Sequence, residues 1–262
     1  MAGRAPLRLM NVSRRHLLGV FFALVLIVRL AAGVTVGAAA NLTYVLEPLA
    51  EAFRKQHPDV RLETVLGASG TLYAQVTHGA PYDVFLSADV EYPRRLAEEG
   101  LAEKASYVVF ARGRLAFWSV RHPLAGADLE RLLHDGRFQR IALANPNTAP
   151  YGQAAREVLK RLKLWDAGSP QHVIGENIAQ TAQFVESGNA DAGFVALSLL
   201  RSPKLANRGE YVSVPEDWHA PLDHAAVLTR RGASNEEARA FLQFLATPEA
   251  KKVLDAYGYA SR

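Results

Sequence analysis

Four short segments of this chain share a design that suits anion chemistry. Each leaves a strand-like run, passes through small or polar residues and enters a helical pattern. They are Val34-Thr35-Val36-Gly37-Ala38-Ala39-Ala40-Asn41, Gly67-Ala68-Ser69-Gly70-Thr71-Leu72, Ala149-Pro150-Tyr151-Gly152 and Gly175-Glu176-Asn177-Ile178. A helix start presents unpaired N–H groups and the positive end of its dipole, while small side chains let a guest approach the backbone. Asn41 and Ser69 add side-chain donors; Tyr151 and Ile178 need give only main-chain N–H. None stands beside a Lys or Arg suited to pairing with a phosphate. An oxyanion held by neutral dipoles avoids the desolvation cost of burying a formal counter-charge. Each segment also has a plainer reading, because Asn and Ser are common helix caps and Gly70 and Gly152 suit turns. One such turn says little; four that converge at the carboxyl ends of parallel strands would make a site.

Other groupings carry less chemistry. Gly67-Ala68-Ser69-Gly70 is near a hydrolase nucleophile turn, but Thr71 stands where G-x-S-x-G needs its second glycine. Asp217, His219, Asp223 and His224 match no metal-ligand spacing and read as half-exposed loop residues. Asp83 and Asp89 flank Val84 to Ala88, roughly 20 Å apart at ~3.3 Å per residue, too far for joint acid and base work, and read as turn caps. The sequon Asn41-Leu42-Thr43 reads as structural, since a helix must start there. No Walker loop, G-x-G-x-x-G or H-E-x-x-H occurs, so neither a catalytic residue nor a metal ligand nor a cofactor site is expected.

Strand-like and helix-like patterns alternate to the end of the chain, which argues for parallel sheets covered by helices. Strands are expected at Val34 to Ala38, Val60 to Leu66, Val84 to Ala88, Tyr107 to Phe110, Leu115 to Val120, Arg140 to Ala144, Gly193 to Ala196, Tyr211 to Val214 and Ala225 to Thr229. After Asn41, the apolar residues Leu42, Val45, Leu46, Leu49, Ala50 and Phe53 recur at helical spacing, predicting a helix that starts at once. Helices are likewise expected over Gln153 to Leu162 and Glu236 to Leu245, and a last one from a Thr247 cap and Pro248 to Gly258. No repeat or long linker is visible. Any two lobes must therefore be joined by ordinary strands, with Tyr107 to Val120 and the strand near Asp223 to Thr229 as the crossings.

Residues 1–33 read as an export signal, with Arg4, Arg8, Arg14 and Arg15 ahead of an apolar stretch from Leu17 to Val28. Ser13-Arg14-Arg15-His16-Leu17-Leu18 is a loose match to a twin-arginine signal, and an ordinary secretory route is the alternative. Five of the 30 Lys and Arg, and none of the 26 Asp and Glu, lie in this segment. The remainder carries 25 basic and 26 acidic side chains, which removes the case for nucleic-acid binding. The absence of cysteine excludes disulfides, a lipidated N-terminal cysteine and thiolate metal sites.

Taken in order, these turns resemble those of the periplasmic molybdate-binding proteins of ABC-type uptake systems. The resemblance spans Val34 to Tyr259. It rests on Ala38-Ala39-Ala40-Asn41-Leu42-Thr43, Gly67-Ala68-Ser69-Gly70-Thr71-Leu72, Gly79-Ala80-Pro81-Tyr82-Asp83-Val84-Phe85-Leu86-Ser87-Ala88-Asp89, Pro150-Tyr151-Gly152-Gln153-Ala154-Ala155, Glu176-Asn177-Ile178-Ala179-Gln180, and the run from Phe184 through Gly188-Asn189-Ala190-Asp191 to Ser198.

The resemblance implies a type II periplasmic binding fold: two lobes, each a mainly parallel sheet flanked by helices, joined by a two-strand hinge. The expected division is 34–115 plus 223–262 against 116–222. Asn41 would contact the oxyanion where many relatives have serine, Ser69 would donate through its hydroxyl and backbone, and Tyr151 and Ile178 would donate backbone N–H from the second lobe. Molybdate or tungstate is the implied ligand, molybdenum enters only as that oxyanion, and a membrane permease is the implied partner of an exported protein, with nothing calling for more than a monomer. Two departures stand out: Ala196, where some members place a tyrosine that reaches the ligand, and Gly70, where a further serine is found. The amide of Asn41 is the expected replacement for that tyrosine. The alternatives are a binding protein for another oxyanion or small solute, a sensory binding module, and an exported serine hydrolase using Ser69.

Overall fold

The computed structural model describes residues 33–124, 126–166, 168 and 170–261. The export-signal reading of residues 1–33 falls outside them except at Gly33. The chain opens with β1 (Gly33–Ala39), α1 (Leu46–Arg54), β2 (Arg61–Gly67), α2 (Ser69–Thr77), β3 (Val84–Ser87), α3 (Glu91–Glu98) and β4 (Val108–Arg112). It continues through β5 (Leu115–Ser119), α4 (Leu129–His134), β6 (Arg140–Ala144), α5 (Pro150–Arg161), β7 (Gln171–Gly175), α6 (Ile178–Ser187), β8 (Ala192–Ala196), α7 (Leu197–Leu200) and β9 (Glu210–Ser213). It closes with β10 (Asp223–Leu228), α8 (Glu236–Phe244), α9 (Pro248–Ala256) and β11 (Ala260–Ser261).

Two sheets result, in the orders β11-β4-β10-β3-β1-β2 and β7-β6-β8-β5-β9. Strand alternation builds the first lobe's core on both faces. Val84 and Leu86 of β3, with Ala226 and Leu228 of β10, pack under α1, α8 and α9; Phe85 and Val227 point the other way, toward Leu72, Val76 and Leu96 of α2 and α3. In the second sheet β5 and β8 are buried along their whole length. Near-continuous apolar runs of this kind mark strands covered on both sides.

Both sheets are mixed rather than mainly parallel. β1 pairs in parallel with β2 and β3, and β6 with β7 and β8, but β10 is antiparallel to both β3 and β4, and β5 to both β8 and β9. The cause is the route of the chain. It leaves the first sheet between β4 and β5 and returns between β9 and β10, so the returning strands need no crossover helix and can pair antiparallel. At this crossing Gly113 N donates to Leu222 O at 2.8 Å, tying the two connecting segments together.

The expected helix after Asn41 begins late. Ala40–Leu42 form a 3-10 turn, and α1 starts only at Leu46. Pro48 is the reason: a helix already running from Asn41 would need an N–H from residue 48 and would press the proline ring against the Tyr44 carbonyl. Strands β7 and β11 are not among the expected strands, although the turn at Gly175 implied a strand end there. The first is an edge strand with Ile174 45% exposed, and the second is only two residues long.

Candidate functional site

The local chemistry of each predicted turn determines which donors remain. At α2 the preceding Ala68 gives no side-chain cap; Ser69 Oγ accepts from Ala88 N at 3.0 Å, which leaves the hydroxyl hydrogen free to donate. At α5 the preceding Ala149 gives no cap either, and Pro150 lacks an N–H, so Tyr151 carries the first donor of that helix. At α6 the cap is present but partial. Asn177 Oδ1 accepts from Ala179 N and Gln180 N at 3.0 Å each, which leaves the N–H of Ile178 outside the capping pattern. At the 3-10 turn no side chain caps the start, and Ala40 and Asn41 precede the turn's own bond from Thr43 N to Ala40 O. Capping by Asn41 or Ser69 is thus ruled out, and three helix starts keep donors for something else.

Those donors lie together. Asn41, Ser69, Tyr151 and Ile178 all border one small cavity of about 10 Å³ at the carboxyl ends of the strands. The rest of its wall is alanine, glycine and proline, and among the described residues no charged side chain or histidine borders it. A serine nucleophile would have neither base nor orienting acid there. The cavity sits where the lobes touch: Ala39, Ala40, Ala68 and Ala88 from the first lobe belong to the same buried cluster as Ala149, Tyr151 and Ile178. Gly70 N donates across to Thr148 O at 2.8 Å, so part of the α2 start is spent on holding the lobes together.

A larger groove, about 490 Å³, shares Ala88, Ala149 and Pro150 with the cavity and forms its mouth. Asp89, Glu91 and Glu157 line it with Arg95. Carboxylates of that number repel a dianion, so the inner cavity is the candidate site despite its smaller size. Asp89 caps α3 through Glu91 N and Tyr92 N at 2.8 and 2.9 Å. Burial pushes its carboxyl up to about 6, with those two N–H groups acting in the opposite sense. Asp83, by contrast, is no turn cap: it is buried, accepts from Thr35 N and pairs with Arg231 Nε at 3.0 Å.

Behind the cavity lies a buried polar group that the sequence did not disclose. Asn41 Nδ2 is 2.7 Å from His224 Nε2 and 2.7 Å from Tyr259 Oη; Tyr259 Oη and Ser198 Oγ donate to Asn41 O at 3.1 and 2.9 Å. Burial pushes the imidazole of His224 down to about 4, although its contact with Leu222 O and the charge of Asp223 act the other way. Burial also raises the phenols of Tyr151 and Tyr259. The loop reading of His224 is therefore corrected: it lies on β10, fully buried, while Asp223 pairs with Arg112 Nε at 2.7 Å. Among the described residues no group of three or more metal-ligating side chains occurs. The apolar run Ala225-Ala226-Val227-Leu228 beside His224 was the one available hint of burial. At Ala196 no hydroxyl is present, yet a tyrosine does reach the Asn41 turn, from position 259.

Comparison with known proteins places the chain among binding proteins of this fold. The family described as bacterial extracellular solute-binding protein matches residues 34–260. The molybdate-binding protein ModA of Azotobacter vinelandii is 39% identical over 87% of this chain and 90% of its own length. That of Rhodobacter capsulatus is 37% identical over 88% and 90%. Among solved structures, the Azotobacter vinelandii periplasmic molybdate-binding protein superposes with a TM-score of 0.82 at 33% identity, covering 87% of this chain and 99% of that one.

Proposed function

This chain belongs to the bacterial extracellular solute-binding proteins, and we propose that it captures molybdate or tungstate between its lobes and delivers the ion to an ABC-type permease in the membrane. It is a binding protein of the molybdate class and not an enzyme. The observation that carries the ligand reading is a cavity bordered by Asn41, Ser69, Tyr151 and Ile178 and, among the described residues, by no charged side chain. In this reading Ser69 gives hydroxyl and backbone N–H, and Tyr151, Ile178 and Asn41 give backbone N–H, so that a doubly negative guest is held by neutral donors at helix starts.

Residues 34–115 and 223–262 form one lobe of the proposed arrangement and residues 116–222 the other, a division supported by the membership of the two sheets. Hinge closure about residues 112–115 and 214–223 follows, with the ligand favouring the closed form because donors from both lobes reach it only there. Export to the periplasm by the secretory or twin-arginine route, and action as a monomer, complete the proposal.

Sulfate offers the same charge and four similar oxygens, so size is what separates it from molybdate. Isothermal titration with molybdate, tungstate, sulfate and phosphate is the test. Tight binding of the first two and weak binding of the others is expected; a preference for sulfate or phosphate overturns the assignment.

A further inference from the structure

The hydrogens of the buried group behind the cavity can be assigned one by one. His224 Nδ1 lies 2.9 Å from Leu222 O, and a carbonyl only accepts, so Nδ1 carries the ring hydrogen. With the imidazole neutral, Nε2 is then a bare acceptor. Its neighbour at 2.7 Å must be a donor, which sets the Asn41 amide with its NH2 toward the ring. The second amide hydrogen goes to Tyr259 Oη at 2.7 Å, whose own hydrogen goes to Asn41 O. Both hydrogens of the Asn41 amide are thus spent inside the protein, and Asn41 Oδ1 is buried without a partner among the described residues. The only donor Asn41 has left for the cavity it borders is its backbone N–H.

The ring reaches the hinge as well. Leu222 O accepts from both His224 Nδ1 and Gly113 N, one residue on each connecting segment. A Cβ at position 113 would strike Tyr151 Oη and lie 2.8 Å from His224 Cε1, so both crossings close tightly on the ring.

Resting on the oxyanion reading above, we propose that His224 is a positioning residue of the binding site: its Nε2 holds the Asn41 amide, and through it the Ala40–Leu42 turn, in the orientation that presents backbone N–H to the anion while its Nδ1 anchors that turn to the hinge. The titratable and charged groups around the ring are Tyr151 from α5, Tyr259 from the C-terminal segment, Asp223 beside it on β10 and Arg112 of β4, which pairs with Asp223. Neither phenol ionises at neutral pH, and the charge of Asp223, which favours a proton on the ring, is paired with Arg112 and outweighed by burial, so Nε2 stays bare.

Three arms test this in the full exported chain. The first is a double-mutant cycle on molybdate affinity by titration calorimetry, with folding of each variant checked by circular dichroism. His224→Phe should weaken binding by about tenfold, the scale of one misplaced hydrogen bond, yet by less than about twofold in an Asn41→Ala background, because His224 acts through that amide. Equal losses in both backgrounds would overturn the proposal. In the second arm His224→Gln, whose side-chain oxygen can accept from Asn41, should recover most of the affinity; a loss as large as that of His224→Phe counts against it. The third is nitrogen NMR of the imidazole in the wild-type chain near neutral pH, where Nε2 should resonate as unprotonated and Nδ1 as protonated. The opposite tautomer overturns the proposal whether or not any variant folds. Failure of wild type to bind molybdate would refute the ligand reading instead, and the tautomer result would still stand or fall alone.

Discussion

At the scale of single residues, the two polar side chains in the cavity wall do different work. Ser69 Oγ accepts from Ala88 N and keeps a hydrogen to give. Ser69→Ala should therefore weaken molybdate binding by about 1 to 3 kcal/mol, the cost of removing a buried donor to a charged group, and should lower the melting temperature as well, because the buried Ala88 N–H loses its acceptor. Unchanged affinity in a calorimetric titration would take Ser69 out of the site. His224 governs stability as well as position. Its folded value of about 4 lies below the ordinary imidazole value of ~6.5, so across that interval the unfolded chain binds the proton and the native chain does not. The stability it contributes is present above about pH 6.5, falls as pH drops and is lost by about pH 4, amounting to about 3 kcal/mol. Asp89 runs the other way, being raised to about 6, so the comparison must be between wild type and His224→Gln. Urea unfolding at pH 7 and pH 4 should show the wild-type advantage shrinking; a constant difference would contradict the assignment.

Elements determine where these donors point. α2 and α5 start without a capping side chain, whereas α6 is capped by Asn177 at its second and third N–H groups. Asn177→Ala should cost about 1 kcal/mol in denaturant unfolding, as loss of a helix cap does, and leave molybdate affinity within about threefold because Ile178 N–H is not part of the cap. A large loss of affinity would mean that the cap orients the whole helix start. Gly152 shows the same economy of space: a Cβ there would strike the Ala144 carbonyl, so the start of α5 sits directly on the end of β6. The approach of helix to strand is what brings Tyr151 N–H to the cavity.

At the scale of the molecule, the contact between lobes beside α2 is made largely by backbone and alanine. Gly70 N reaches Thr148 O across the cleft, and a Cβ at position 70 would lie 2.5 Å from Tyr92 Oη and 2.9 Å from Thr148 O. The tyrosine can swing aside, but the carbonyl belongs to the chain just ahead of α5. Gly70→Ala should hold the lobes apart, lowering molybdate affinity by about tenfold or more, since the open form lacks half the donors. Small-angle scattering gives the check: saturating molybdate should shrink the wild type and leave the variant extended. Equal compaction in both would show that the lobes close without this contact.

Much of this arrangement was legible in the sequence, and the reason is local. Period-two and helical spacing are properties of neighbouring residues, so β1, β5, β6, α8 and α9 stand where the pattern puts them, with Thr247 capping α9 as expected. The four small-residue turns were legible for the same reason, since a strand end running into a helix start is written in a few adjacent positions. What the sequence could not determine was partnership. The delay of α1, the antiparallel entry of β10, the passage of Gly70 N–H to the other lobe and the capture of the Asn41 amide by His224, 183 positions away, depend on which segments meet in space. Hydrogen bonds and close packing are satisfied by whatever tertiary structure brings near, and only the folded chain decides that Asn41 gives both hydrogens of its amide to His224 and Tyr259.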